Sequence, residues 1–305
     1  NRRNQFGGVV GFPLVKNKFF GFLSFDRTEN SGAATYTRDV PLDYERNPAN
    51  WFTAPGAAAF DTPANRAFIQ SVFDRFPADL RPNNPISPRS AIGAQGFDFP
   101  DEDYSARFDW NATSKDMLFA RWQYTRQIRA GDDVVVGERA SQNNKQQNFG
   151  LTWTHTFTPK LVGEFRYGLG LRTTLVNIQA GNDTPIIRFQ NPNPVTGGSI
   201  IGNAGAYPIQ RYQTDNQFVY NLSWAIGGNH FVKMGTDIRN QQLDDFADNF
   251  SRGFYTFNGT CATLQFRDPL NNNLSGFQAL INGCVTTFQR GYGPLFLENR
   301  AGEYN

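Results

Sequence analysis

The sequence lacks the features that identify membrane helices, nucleic-acid-binding proteins and zinc proteins. No apolar run approaches the roughly 20 residues that a transmembrane helix needs. The 29 Lys and Arg residues nearly balance the 27 Asp and Glu residues, so the chain offers neither a basic patch for nucleic acid nor an acidic disordered tail. Its two cysteines and two histidines show no zinc-site spacing. We therefore expect no membrane helix, nucleic-acid partner, metal or cofactor.

Motifs of catalysis are missing as well. The sequence contains no Gly-x-Ser-x-Gly, no phosphate-binding loop and no paired-histidine motif. Asp244, Asp245, Asp248 and Asn249 lack the glycine and the ligand spacing of an EF-hand loop, and we interpret them as solvated loop residues. We expect a protein that is not an enzyme. The sequence begins at Asn1 without the pattern of a signal peptide, so we expect an exported protein to begin upstream.

What the sequence does contain is aromatic residues in a polar, glycine-rich background. Aromatic residues make up 15% of the chain and include 29 Phe, while the mean hydropathy is −0.52. A soluble core is normally built from Leu, Ile and Val. Rings in a polar background suit a sheet with one apolar and one wet face.

An alternation of period two supports this interpretation. In residues 104–111, Phe108 and Trp110 fall on one face, and Arg107 and Asp109 fall on the other. Such alternation is typical of a strand and excludes a helix. The predicted strands number roughly ten, at residues 5–14, 18–27, 104–111, 118–125, 149–157, 161–172, 217–226, 232–239, 253–258 and 294–304.

The two faces differ in charge throughout the predicted hairpins. The ring-bearing face is predicted to contact lipid through Phe108, Trp110, Trp122, Tyr124, Trp153, Phe165, Tyr167, Tyr220 and Trp224. The polar face is predicted to line a wet interior with Arg107, Asp109, Arg121, Glu164, Arg166, Arg172, Lys233, Asp237 and Arg239. An Arg or Lys facing lipid at mid-bilayer would cost about 2–4 kcal/mol. This segregation is what a membrane demands, whereas a sandwich would pack branched aliphatic residues between two sheets.

The connections alternate strictly between short and long. Short turns lie near residues 15, 113, 159 and 228, and long connections span residues 28–103, 129–144, 177–214 and 259–293. In an up-and-down sheet, alternate connections lie at opposite ends, so the long ones share one side. Short periplasmic turns with long extracellular loops are the pattern of outer-membrane β-barrels. The sequence thus predicts an all-β, antiparallel, up-and-down transmembrane barrel, present in part.

Two features fall within the long connections. Residues 65–76 carry apolar side chains at helical spacing, and Pro77 ends the pattern; we interpret this segment as a short amphipathic helix packed on its own loop, with a partner-binding helix as the alternative. Cys261 and Cys284 share a Gly- and Asn-rich stretch. They are predicted to form a disulfide in an oxidising compartment, with two small buried thiols as the alternative.

Four segments resemble a known family. They are NQFGGVVGFPLVKNKFFG at residues 4–21, SARFDW at residues 105–110, HTFTPKLV at residues 155–162 and GNHFVKMG at residues 228–235. Together, in this order and spacing, they resemble the barrel of the Oar-like TonB-dependent transporters. The resemblance covers strands and short turns over most of the chain and no long loop.

This resemblance implies a bacterial outer-membrane transporter that imports a bulky nutrient. Its partners would be membrane lipid, the TonB complex acting through a plug, and a substrate that no loop motif identifies. A transporter of this class has about 22 strands. We therefore expect residues 1–305 to be the amino-terminal part of the barrel, with the plug domain and the remaining strands outside this chain.

Two other functions remain open at this point. One is a structural or adhesive outer-membrane barrel that transports nothing. The other is a soluble all-β carbohydrate-binding module. A plug and a TonB box encoded upstream would favour transport, and solubility without detergent would favour the module.

Overall fold

The computed structural model describes residues 1–131, 140–178, 185–190, 199–202, 207–247, 250–291 and 299–300. Antiparallel strands dominate these ranges, and the helices among them are short. None of these helices has the length and apolar character needed to cross a membrane.

Long strands dominate the chain as far as Ala247, with the short strands β7 and β8 among them, and the strands after Ala247 are short. The first six strands are β1 (Arg2–Val15), β2 (Phe19–Asp39), β3 (Ser90–Asn111), β4 (Asp116–Gly131), β5 (Ala140–Thr158) and β6 (Leu161–Ile178). Four more are β7 (Ile186–Phe189), β8 (Ser199–Ile201), β9 (Ile209–Ile226) and β10 (His230–Ala247). The last five are β11 (Phe254–Phe257), β12 (Thr260–Cys261), β13 (Leu264–Gln265), β14 (Thr287–Gln289) and β15 (Asn299–Arg300).

Nine of these strands form one antiparallel sheet, which we call the wall. Its order is β1-β2-β3-β4-β5-β6-β9-β10-β15, so wall strands that follow one another along the chain are paired. This is the predicted up-and-down topology. Within the described residues β1 and β15 do not pair with each other, and the wall is an open part of a barrel.

One of the predicted strands differs from what the alternation indicated, and another lies largely outside the described residues. The segment at residues 253–258 was wrongly predicted as a wall strand, because β11 pairs with β7 and β14 in a separate four-stranded sheet. Three of its four residues are buried, as in a compact core and unlike a wall with two open faces. Of the predicted strand at residues 294–304, the structure describes only β15, which pairs with Asp244 and Asp245.

The wall strands extend well beyond their ring-bearing segments. β2 and β3 remain paired from Phe19 and Trp110 as far as Asp39 and Ser90, so the predicted connection at residues 28–103 shrinks to residues 40–89. The added positions are mostly small or polar and carry no apolar alternation that could predict them. Their backbone groups nevertheless gain ladder partners, which an isolated loop would leave to water.

The short turns have the residues that their backbone angles require. Between β9 and β10, Gly227 and Gly228 have φ angles of 62° and 108°. Between β1 and β2, Asn17 has a φ of 62°. Glycine adopts such angles without steric cost, and Asn tolerates them better than most residues.

Three long connections fold together into one compact unit, which we call the loop lobe (residues 40–89, 185–190, 199–202 and 250–291). It holds the sheet β14-β11-β7-β8 and the helices α1 (Asp43–Arg46), α2 (Pro63–Phe73) and α3 (Gly276–Ile281). Its buried core draws on all three connections and includes Trp51, Ile69, Val72, Phe73, Ile187, Phe189, Ile201, Phe257, Phe277, Leu280 and Ile281.

The helix α2 lies where the sequence predicts a helix. Thr62 caps its amino terminus by accepting a hydrogen bond from the backbone of Asn65 at 3.2 Å. It packs on its own connection as expected, with the ring of Phe73 6.0 Å from that of Trp51, and it also makes a contact beyond that connection. The ring of Phe68 lies 5.4 Å from that of Tyr255, which belongs to another connection of the lobe. Long-range packing of this kind leaves no trace in local spacing.

Candidate functional site: a two-faced wall beneath a loop lobe

One face of the wall carries the rings. Direct cross-strand partners share a face, as do residues two apart in one strand. Trp110 pairs with Leu118, Leu118 with Trp153, and Trp153 with Phe165. The register thus places every residue predicted to contact lipid on this aromatic face, namely Phe108, Trp110, Trp122, Tyr124, Trp153, Phe165, Tyr167, Tyr220 and Trp224.

The rings contact each other across strands and stay largely uncovered. The centroids of Tyr167 and Phe218 are 4.9 Å apart, and those of Tyr104 and Tyr124 are 6.0 Å apart. Trp122 nevertheless remains 39% exposed. A continuous surface of exposed rings across several strands is unfavourable in water, so the aromatic face requires an apolar environment.

The opposite, polar face carries the charges. The register places on it all the residues predicted to line the interior, namely Arg107, Asp109, Arg121, Glu164, Arg166, Arg172, Lys233, Asp237 and Arg239. Six of them form ion pairs between residues two apart on one strand, namely Arg107–Asp109 at 2.7 Å, Glu164–Arg166 at 2.7 Å and Asp237–Arg239 at 2.9 Å.

The remaining three cations of this set have no acidic partner within the described part of the chain: Arg121, Arg172 and Lys233. The polar face also carries Phe119, the one aromatic residue that interrupts the alternation of apolar and polar residues in β4. The guanidinium of Arg107 lies 4.4 Å from the ring centroid of Phe119, which makes a cation–π contact on this face.

Charges return to the aromatic face at two levels. Near the short turns, the carboxylate of Asp116 lies 2.6 Å from Nδ1 of His155 and accepts a hydrogen bond from Nε1 of Trp153 at 3.0 Å. Toward the long connections, Arg126 is the next charged residue of β4 on this face. The ten residue steps from Asp116 to Arg126 span about 33 Å of strand. At the usual strand tilt this is about 25 Å of height, which equals the apolar band of an outer-membrane barrel.

A buried ion cluster joins two connections of the loop lobe. Nη1 and Nη2 of Arg89 donate to the carboxylate of Glu45 at 2.7 and 2.8 Å, and Nε donates to Asp268. Glu45 also accepts a hydrogen bond from Gln278 at 2.8 Å. Burial by itself lowers the pKa of Arg89, but the two carboxylates outweigh it and raise the pKa above its ordinary value. Sequence reasoning missed this cluster because Arg89 and Asp268 lie 179 residues apart.

The lobe also brings the two cysteines together. The Cα atoms of Cys261 and Cys284 are 5.7 Å apart, and their sulfur atoms are placed as a disulfide. Cys284 is fully buried among the core residues. The bond would close a loop inside the third connection of the lobe.

The acidic residues considered for calcium do not gather. Asp244 and Asp245 lie on β10, and the carboxylate of Asp245 pairs with Arg211 at 2.6 Å. Asp248 and Asn249 lie outside the described residues. Within the ranges that the structure describes, no three metal-ligating side chains of the His, Cys, Asp or Glu type come close enough to hold an ion.

The family model that matches the chain agrees with this geometry. A family model described as an outer membrane beta barrel domain matches residues 1–305. No curated protein matches the sequence. Among solved structures, the outer membrane transporter YddB from Escherichia coli is similar with 11% sequence identity and a TM-score of 0.46. That match covers 84% of this chain and 27% of the transporter chain, so the present chain spans about a quarter of it.

Proposed function

The chain belongs to the outer membrane β-barrel domain family, and from this premise we propose that it is part of a receptor that imports a bulky nutrient with energy from TonB. The family establishes the fold and the location of the chain. The chain is an antiparallel transmembrane β-barrel in part, it lies in the bacterial outer membrane, and its long loops are extracellular. The soluble carbohydrate-binding module is incompatible with that location.

In this proposal the aromatic face contacts lipid and the polar face lines the barrel interior. The single observation that carries the assignment is the spacing of charges on the aromatic face. No charged side chain lies there between Asp116 and Arg126 of β4, and the height between them matches the apolar thickness of the membrane.

The polar face is suited to hold a plug. Arg121, Arg172 and Lys233 face the interior without an acidic partner in the described residues. A plug domain supplied by chain outside these residues would bring carboxylates to them. Because charge pairs of this kind are partly wet, they would hold a plug and still let it move. Energy from the TonB complex would act on that plug.

The loop lobe supplies an extracellular surface for capturing substrate. Its core is built from three connections and is joined by the Arg89 cluster. A packed lobe presents fixed contacts, which lose less conformational entropy on binding than a set of mobile loops.

We also propose that the chain belongs to the Oar-like TonB-dependent transporters.

Binding of TonB by the full-length protein tests the proposal. We expect the purified periplasmic domain of TonB to bind the detergent-solubilised protein, and deletion of the TonB box to abolish this binding. The structural or adhesive barrel predicts a full reading frame without a plug. An absence of TonB binding together with such a reading frame would overturn the transport proposal.

A further inference from the structure

Four charged residues form a row on the aromatic face, just beyond the last rings. They are Arg27, Glu102, Arg126 and Lys145, on the adjacent strands β2, β3, β4 and β5. Arg126 follows Tyr124 by two residues on the same face. The row therefore lies at the extracellular edge of the apolar band.

Two of these four residues form an ion pair with each other, and the other two form none within the described residues. Arg27 donates to Glu102 at 2.7 Å and also to Glu29 on its own strand at 3.0 Å, so its charge is shared between two carboxylates. Arg126 and Lys145 have no ion-pair partner among the described residues. Glu102 is also a direct cross-strand neighbour of Arg126, but the structure pairs it with Arg27. Nε of Arg126 is buried and has no hydrogen-bond partner.

Arg126 and Lys145 are moreover direct cross-strand partners. Like charges placed opposite each other destabilise a sheet. The wall contains another such pair, Arg107 and Arg121 on the polar face. There Arg107 is neutralised by Asp109 at 2.7 Å. The pair on the aromatic face has no such neutralising group, so an anion from outside the described residues would remove both its repulsion and its unpartnered donor.

We infer that Arg126 and Lys145 bind the phosphate of an outer-leaflet lipid headgroup. Their face and level meet the headgroup region of the leaflet on the side of the long loops. An Arg fork and a Lys ammonium suit a phosphate, which accepts several hydrogen bonds and carries charge opposite to both. The inference rests on the proposed assignment of the aromatic face to lipid, and it is independent of transport.

Binding of lipid A to the full-length protein in nonionic detergent tests the inference. The probes are diphosphorylated lipid A and lipid A from which both phosphates have been removed. The double variant Arg126→Gln/Lys145→Gln should bind the diphosphorylated form about 25-fold more weakly, since one cation near a lipid surface contributes about a factor of five. The control Arg121→Gln/Arg172→Gln removes the same charge from the polar face and should bind as the unmodified protein does.

Equal weakening in the two double variants would mean that net charge alone attracts the lipid, and it would overturn the inference. If the unmodified protein bound both forms of lipid A equally, the inference would fail without reference to any variant. Displacement of lipid A by an equal concentration of inorganic phosphate would likewise refute a lipid site. TonB binding by the unmodified protein and by Arg126→Gln/Lys145→Gln keeps the transport proposal separate, because neither Arg126 nor Lys145 faces the interior.

Discussion

Replacement of Arg89 by methionine should open the loop lobe and leave the wall intact. Methionine fills part of the volume of the arginine stem but supplies no charge. Glu45 and Asp268 are 0% and 2% exposed, so the variant buries two carboxylates without a cation. Breaking a buried ion pair in this way costs about 3–5 kcal/mol. Glu45 keeps the hydrogen bond from Gln278, which places the cost toward the lower end of that range.

The triple variant Glu45→Gln/Arg89→Met/Asp268→Asn is the matched control. It removes the same arginine together with both carboxylates, so no charge remains buried. Replacing a whole buried ion cluster by neutral groups is often nearly neutral in stability. We therefore expect the triple variant to lose less than half of what the single variant loses.

Hydrogen exchange of the full-length protein in detergent measures this difference. Peptides from residues 40–89 and 250–291 should exchange more than about 100-fold faster in Arg89→Met, since 1.4 kcal/mol corresponds to a factor of ten. Peptides from the wall strands should keep their protection. The reasoning would be refuted if the single and triple variants exchanged equally fast, or if the wall lost protection together with the lobe.

Three further predictions concern the wall, the disulfide and a turn. Leu151→Arg places a cation in the middle of the aromatic face and should cost about 2–4 kcal/mol in urea unfolding from lipid vesicles; Thr152→Arg, on the polar face, should cost much less, and equal costs would contradict the assignment of faces. Loss of the disulfide in Cys261→Ser/Cys284→Ser should destabilise the lobe by about 3 kcal/mol. Alkylation should label both cysteines only after reduction, and free thiols in the native protein would exclude the bond. Gly228→Val forces a β-branched residue to a φ of 108° and should lower unfolding stability by about 1–3 kcal/mol, an effect that unchanged unfolding would disprove.

The sequence allowed prediction of the wall wherever rings and polar residues alternate. Each wall strand faces two different environments, so residues 104–111 reveal both the strand and its faces. The signal ends where the strand leaves the apolar band. For this reason the start of β3 at Ser90 was missed, although its backbone pairing continues without rings.

The loop lobe could not be predicted because its contacts are distant in sequence. Phe189 and Phe277 stack with centroids 4.2 Å apart, yet each lies in a stretch without regular spacing. The apolar residues of β11 were consequently assigned to the wall. A different signal was present in the sequence for Arg126, because extending the alternation of β4 beyond Tyr124 places this cation on the ring-bearing face.

The length of the β2–β3 hairpin has a mechanical consequence. From Arg27 to Asp39 the strand advances about 40 Å, which raises the lobe about 30 Å above the apolar band at the usual tilt. The ladder continues without interruption down to Phe19 and Trp110. The hairpin is therefore a stiff connection, through which a sideways force on the loop lobe would reach the barrel at the level of the bilayer.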